Sequence, residues 1–239
     1  MENELPPKTG LSRLWELLTR DLWDFFRANL ILMAGLCPGI LLVAWGIWGH
    51  SLLVALLGGI LSGLAGGPLG CGLCDTLLCA LYDQAGFWSL QYKQAMKRSW
   101  KKALLPGIAS AIVIVLWIFE ANILVQQGPL PPVIAVAMLE VLFFLTGIFN
   151  YVFPQLAMGN VTVRQVYSNS IRFFISALPR SLAAAAVQTL YWTGFLLFFP
   201  RSVPLLVASG FWFPTLLSLM ILQPSLGEYP NLEDTNSKN

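Results

Sequence analysis

A chain of 239 residues with 56% hydrophobic and only 11% charged residues, and a mean hydropathy of +0.69, departs from soluble globular composition, in which about a quarter of residues are charged. That balance excludes a disordered chain and a small disulfide scaffold, argues against a water-soluble enzyme, and places the chain in a membrane. The formal charge of +2 gives no reason to expect nucleic acid as a partner, so the information lies in where the 14 Lys and Arg fall.

Residues 1–27 carry Glu2, Glu4, Glu16, Asp21 and Asp24 beside Lys8, Arg13, Arg20 and Arg27. A cleaved secretory signal has a short basic start and a small-residue cleavage site, so the run that follows reads as a mature span. From Ala28 to Cys74 no residue carries a formal charge, and one crossing needs roughly 20 apolar residues, so the run is long enough for two. The first span is expected at Ala28 to Trp48, closing on the interfacial indoles of Trp45 and Trp48, with Gly46, Gly49 and His50 in the turn.

The next apolar run, Ser51 to Tyr82, would make a straight helix of about 48 Å, well beyond a roughly 30 Å hydrocarbon core. A break is expected at Gly66, Gly67 and Pro68, where glycines loosen the backbone and proline removes a donor. Four more spans are expected at about Ala103 to Val125, Val133 to Phe153, Ser181 to Phe199 and Pro204 to Leu222.

With residues 51–82 counted as one crossing, both termini share one side, and all Lys and Arg but Arg201 lie there. Excess Lys and Arg in short loops mark the cytoplasmic side, so six spans with both ends cytoplasmic are expected. The organisation is then a cytoplasmic amphipathic segment, residues 1–27, a membrane domain, residues 28–222, and a polar cytoplasmic tail, residues 223–239. Segments ahead of the odd-numbered spans are amphipathic: Leu11 to Phe26, Phe87 to Lys102 and Val161 to Leu178. Such helices lie in the interface plane, and Leu105-Pro106 and Leu178-Pro179 mark where two of them turn into the bilayer. The fold class is all-α: a polytopic membrane protein of about six transmembrane helices with amphipathic interfacial helices, in which the recurrence of surface helix and hairpin is too slight, with no longer shared string, to establish internal duplication.

The string GPLGCGLCDTLLCALYDQAGFWSLQYKQAMKRSWKKALLPG, Gly67 to Gly107, resembles the segment typical of the DUF624, or YesL-like, bacterial membrane proteins, with Gly67, Pro68, Tyr82, Gly86, Lys97, Trp100 and Lys101 at matching positions. Tyr151 to Ala157 and Leu178-Pro179-Arg180 resemble that family too, whereas the apolar stretch from Gly46 to Gly66 is extra. The resemblance implies a multi-pass protein of a bacterial cytoplasmic membrane without an assigned reaction, encoded near systems for oligosaccharide uptake. The expected function is therefore a non-enzymatic accessory or scaffold protein associated with subunits of a carbohydrate ABC importer. The alternative is an independent small-solute transporter or channel that uses membrane carboxylates.

No HExxH, Gly-x-Ser-x-Gly, Walker loop or dinucleotide fingerprint is present, so no catalytic residue, cofactor or metal is expected. His50 reads as an interfacial loop residue. Cys71 and Cys74 form a C-x-x-C near Cys79, but among glycines in an apolar helix they read as packing residues, like Gly58, Gly59, Gly63 and Gly70. More telling are Asp75, Glu120 and Glu140, because an ionised side chain at the bilayer centre costs about 2.5–3.5 kcal/mol on insertion scales. Glu120, near a span end, reads as a snorkelled interfacial carboxylate, whereas Glu140 is deep enough to need a partner. Asp75 and Glu140 either line a polar path, bind a cationic group of a partner, or make a structural hydrogen bond. The basic stretch Lys93, Lys97, Arg98, Lys101 and Lys102 is either a lipid headgroup anchor or a docking surface for a partner.

Overall fold

The computed structural model describes residues 10–84, 86–128, 131–159 and 161–226. These form helices α1 (Leu11–Trp48), α2 (Leu52–Leu81), α3 (Trp88–Gln126), α4 (Pro132–Met158), α5 (Val163–Ser176), α6 (Leu178–Leu197), α7 (Val203–Ser209) and α8 (Trp212–Leu226), with no strand among the described residues. Helices α1 to α4 are each long and apolar enough to cross a membrane. The pairs α5 with α6 and α7 with α8 meet at bends of 106° and 52°, and counting each as one broken span gives six. The chain is an all-α, multi-pass membrane protein. The polar tail from residue 227 onward lies outside the described residues, and α8 reaches Leu226, past the expected span end.

Three of the expected breaks are not there. Helix α2 runs unbroken through Gly66, Gly67 and Pro68, and α3 runs through Leu105-Pro106. The amphipathic start of α1 continues into its span without a joint, so the first two expected surface helices are extensions of α1 and α3. The physical reason is that a lipid-embedded chain has no water to satisfy freed backbone groups, and a proline buried between neighbouring helices costs less than an open turn. Pro68 and Pro106 are both buried.

The glycines of α2 serve close approach instead. A Cβ on Gly58 would lie 2.6 Å from the backbone N of Val43 in α1, and one on Gly63 would lie 2.5 Å from the Cα of Ile108 in α3. A Cβ on Gly67 would collide with the carbonyl of Ala103. Glycine residues 59, 63 and 67, four apart, thus face α3, while Gly58 and Ser62 face α1. Small residues let backbones touch where the hydrophobic effect no longer drives association, and α2 becomes the central helix between α1 and α3.

The third unit is built differently. Helix α5 begins with a capping box, Thr162 and Gln165, and meets α6 at a bend of 106° where Leu178-Pro179 stands. The straight span expected from Pro204 to Leu222 is broken at Gly210 and Phe211. Asn29, fully buried in α1, holds that break: its Nδ2 donates to the carbonyls of Leu206 (3.2 Å) and Val207 (3.0 Å), and its Oδ1 accepts from the Phe211 N–H at 2.9 Å. Trp212 then packs its ring on Phe25 at 5.5 Å.

Helices α4 and α6 are joined by side-chain hydrogen bonds. Tyr151 and Ser181 hydroxyls lie 2.7 Å apart, Gln188 donates to Asn150 at 3.2 Å, and Thr146 faces Thr189 at 3.3 Å. Such bonds within a membrane contribute about 0.6 kcal/mol on average, up to about 1.7. The main core gathers Leu17, Phe25, Cys71, Cys74, Leu77, Leu78, Leu156 and Leu216.

Candidate functional site at the basic end

Every Lys and Arg of the described residues except Arg201 lies toward the end where α2 and α4 finish and α3 begins. The last carbonyls of a helix lack intrahelical partners and carry partial negative charge, and two of these helix ends are met by guanidinium groups. Arg13 and Arg20, seven residues apart on one face of α1, reach the end of α2: Arg13 donates to Leu81 O at 3.2 Å and Arg20 to Ala80 O at 3.0 Å. Both also bind Asp83, each at 2.5 Å. Asp83 sits in a left-handed turn, φ +51°, that turns its carboxylate back under α1. Partial burial pushes the Asp83 carboxyl upward, but the hydrogen bonds and charges of Arg20 and Arg13 outweigh it and hold the group below the usual carboxylate range. Beside this joint lies a cleft of about 320 Å³ whose walls include Asp21, Asp24, Thr76, Gln84, Trp88 and Gln91.

The end of α4 is closed by α3. Arg98 donates to the carbonyl of Ala157, Ser99 to Leu156 O at 3.0 Å, and Lys102 to Gly159 O at 3.1 Å. The Arg98 guanidinium also lies 3.1 Å from Asp75, whose side chain is 5% exposed. Asp75 accepts from the Cys79 thiol as well. Arg27 stacks over Trp23 and Trp88, its guanidinium carbon 5.1 and 5.8 Å from the ring centres.

The structure divides the basic stretch in two. Arg98 and Lys102, four residues apart, turn to the end of α4. Lys93, Lys97 and Lys101, also at four-residue spacing, form an exposed stripe on another face of α3. Only this stripe is free to meet headgroups or a partner.

Asp75, Glu120 and Glu140 do not converge. Asp75 is buried at the basic end, whereas Glu120 and Glu140 are exposed on α3 and α4, toward the opposite end. Among the described residues neither glutamate makes a hydrogen bond or an ion pair. The Trp117 indole donates to Met138 O at 3.1 Å and sets the two helices level. Glu120 then lies roughly 9 Å from the end of α3, and Glu140 roughly 12 Å into α4, at 1.5 Å per residue. Around Glu140, Val133, Val136, Leu139 and Val141 are 41–80% exposed, so this part of α4 faces the lipid nearly all round. Cys71, Cys74 and Cys79 lie in the core, no group of metal-binding side chains occurs among the described residues, and His50 occupies the exposed turn between α1 and α2.

Sequence reasoning passed over Asn29 because it is uncharged, and Asp83 with its two arginines because residues 11–27 read as a headgroup-facing helix. The seven-residue spacing of Arg13 and Arg20 was the available signal. Compared with known proteins, the chain matches no family model, no curated protein and no solved structure.

Proposed function

We propose that this chain is a non-enzymatic accessory or scaffold protein whose α3–α4 hairpin receives a helix of another membrane protein. The observation that supports this reading is the lipid-facing Glu140, with Glu120 nearby and no partner for either among the described residues. A carboxylate facing hydrocarbon is costly, and the chemistry that relieves it is a Lys, Arg or hydrogen-bond donor on a partner helix at the same depth. The rival reading, a transporter working through its membrane carboxylates, requires them to line one path. Asp75 is instead tied to Arg98, and the two glutamates face outward.

The sorting of cations supports placing the basic end, and with it both termini, in the cytoplasm, with the Lys93, Lys97 and Lys101 stripe against anionic headgroups. The resemblance of residues 67–107 to the YesL-like proteins makes a subunit of a carbohydrate importer in a bacterial cytoplasmic membrane the first partner to test. A photocrosslinking residue at Val136 is expected to trap one membrane protein in native membranes. The adduct is expected to disappear in Glu140→Leu, which removes no internal contact and folds like the parent. An adduct pattern unchanged by Glu140→Leu and Glu120→Leu together would overturn the proposal.

A further inference from the structure

Helix α5 is held at a fixed rotation. Val166 and Ser170, one turn apart, are fully buried. The Ser170 hydroxyl accepts from the Gln155 amide of α4 at 3.1 Å, and the Phe173 ring stacks on Tyr151 with centroids 6.0 Å apart. At 3.6 residues per turn, the far side then divides in two. Ile171 and Ile175, 51% and 66% exposed, share an apolar face that Leu178 continues at the start of α6. Arg164, Ser168 and Arg172, four residues apart and all exposed, run along its edge, with Gln165 and Ser176 beyond them. Helix α6 has 20 residues, about 30 Å and enough for one crossing. Because α5 meets it at 106°, α5 runs near the membrane plane, with a core face, a lipid face and a water face.

The arginines set this helix apart. Arg13, Arg20, Arg27 and Arg98 each pair with a carboxylate. Among the described residues Arg164, Arg172 and Arg180 make no ion pair and no hydrogen bond, and from Gly159 to Leu226 the sequence holds no Asp or Glu. Three exposed guanidinium groups thus gather on α5 and at its bend with nothing in their own segment to neutralise them.

We propose that α5 binds anionic phospholipid, with Arg164 and Arg172 on phosphate oxygens and Ile171 and Ile175 against the acyl chains. A guanidinium offers a planar fork that matches phosphate, whereas an ammonium is a point charge, and α5 carries arginine where the exposed stripe of α3 carries lysine. The apolar pair decides against an acidic segment of a soluble protein. Its face continues through Leu178 into Leu182 and Leu190 of α6, 37% and 73% exposed, on the helix that crosses the hydrocarbon. Two turns, about 12 Å, separate Arg164 from Arg172, so each takes its own phosphate. The site is separate from the outward face of α3–α4 and stands whether or not that face receives a partner.

The test uses the full chain in nanodiscs of equal parts phosphatidylglycerol and phosphatidylcholine, with the retained lipids read by native mass spectrometry. Phosphatidylglycerol is expected to be enriched. Arg164→Gln with Arg172→Gln, which breaks no internal contact, is expected to lower the preference about thirtyfold, the worth of two cations at an anionic surface. Lys97→Gln with Lys101→Gln is expected to leave most of it. A preference unchanged by the arginine variant, or abolished by the lysine variant alone, overturns the site. Glycerol phosphate, a headgroup without chains, is expected not to displace the lipid, and displacement would overturn the lipid in favour of a soluble phosphate. In a Cys37→Ala background, a nitroxide at Ile175→Cys is expected to be relaxed by oxygen and one at Gln165→Cys by a water-soluble nickel chelate. Nickel access at Ile175 would open this face to an acidic protein and overturn the proposal.

Discussion

Replacing Arg98 by methionine tests the joint between α2, α3 and α4. The variant keeps most of the aliphatic volume but takes the cation away from the Asp75 carboxylate, which is 5% exposed and lies 3.1 Å from the guanidinium. It also removes the donor to Ala157 O at the end of α4. Breaking a buried ion pair from one side costs about 3–5 kcal/mol. Because the Arg98 side chain is 32% exposed, the lower end applies, and we expect a loss of about 3 kcal/mol. Asp75→Asn is milder: the amide keeps an acceptor, and the arginine retains Ala157 and some solvent, so about 1 kcal/mol is expected. The double variant carries no buried charge and should lose about 2 kcal/mol, which leaves a coupling of about 2 kcal/mol in the cycle. Equilibrium unfolding in mixed micelles, followed by tryptophan fluorescence, measures all three. A loss below about 1 kcal/mol for Arg98→Met, or strict additivity, would refute the argument.

Asn29→Leu removes three hydrogen bonds from the α7–α8 break and is expected to cost about 2 kcal/mol at the strengths found inside membranes; a loss under about 0.5 kcal/mol in the same unfolding assay would show that Asn29 does not hold the break. For Asp83, whose folded pKa is depressed, the stabilisation is complete above the ordinary aspartate value of about 3.9 and fades as pH falls through its lower folded value. Asp83→Asn should therefore be less stable than the parent at neutral pH and should converge with it in acid, and a difference independent of pH would contradict the pairing with Arg13 and Arg20. On intact cells, in a Cys37→Ala background, an impermeant maleimide should modify Arg201→Cys but not Lys97→Cys, and labelling at Lys97→Cys would reverse the proposed orientation.

What could be read in advance followed from the demands of lipid. Runs such as Ala28 to Trp48 and Val133 to Phe153 announce helices because no other backbone arrangement satisfies itself there. Where those helices bend could not be read. Pro68, Pro106 and Pro179 look alike as letters, and the neighbours that bury Pro68 and Pro106 within continuous helices are distant in the chain. Rotation about the helix axis was equally hidden for single charges, so Asp75 and Glu140 looked equivalent although one faces in and the other out. The split of the basic stretch was legible in principle, since Lys93, Lys97 and Lys101 share one face and Arg98 and Lys102 another.

The bare flanks of α2 have a consequence for biogenesis. A ribosome delivers α1, α2 and α3 in succession, so the tightest backbone-to-backbone joints close while the remainder is still being translated, in keeping with segmental folding during synthesis. The later-emerging α7 and α8 then meet Asn29 on helices already made, and the break between them docks onto a side chain that precedes it by some 180 residues.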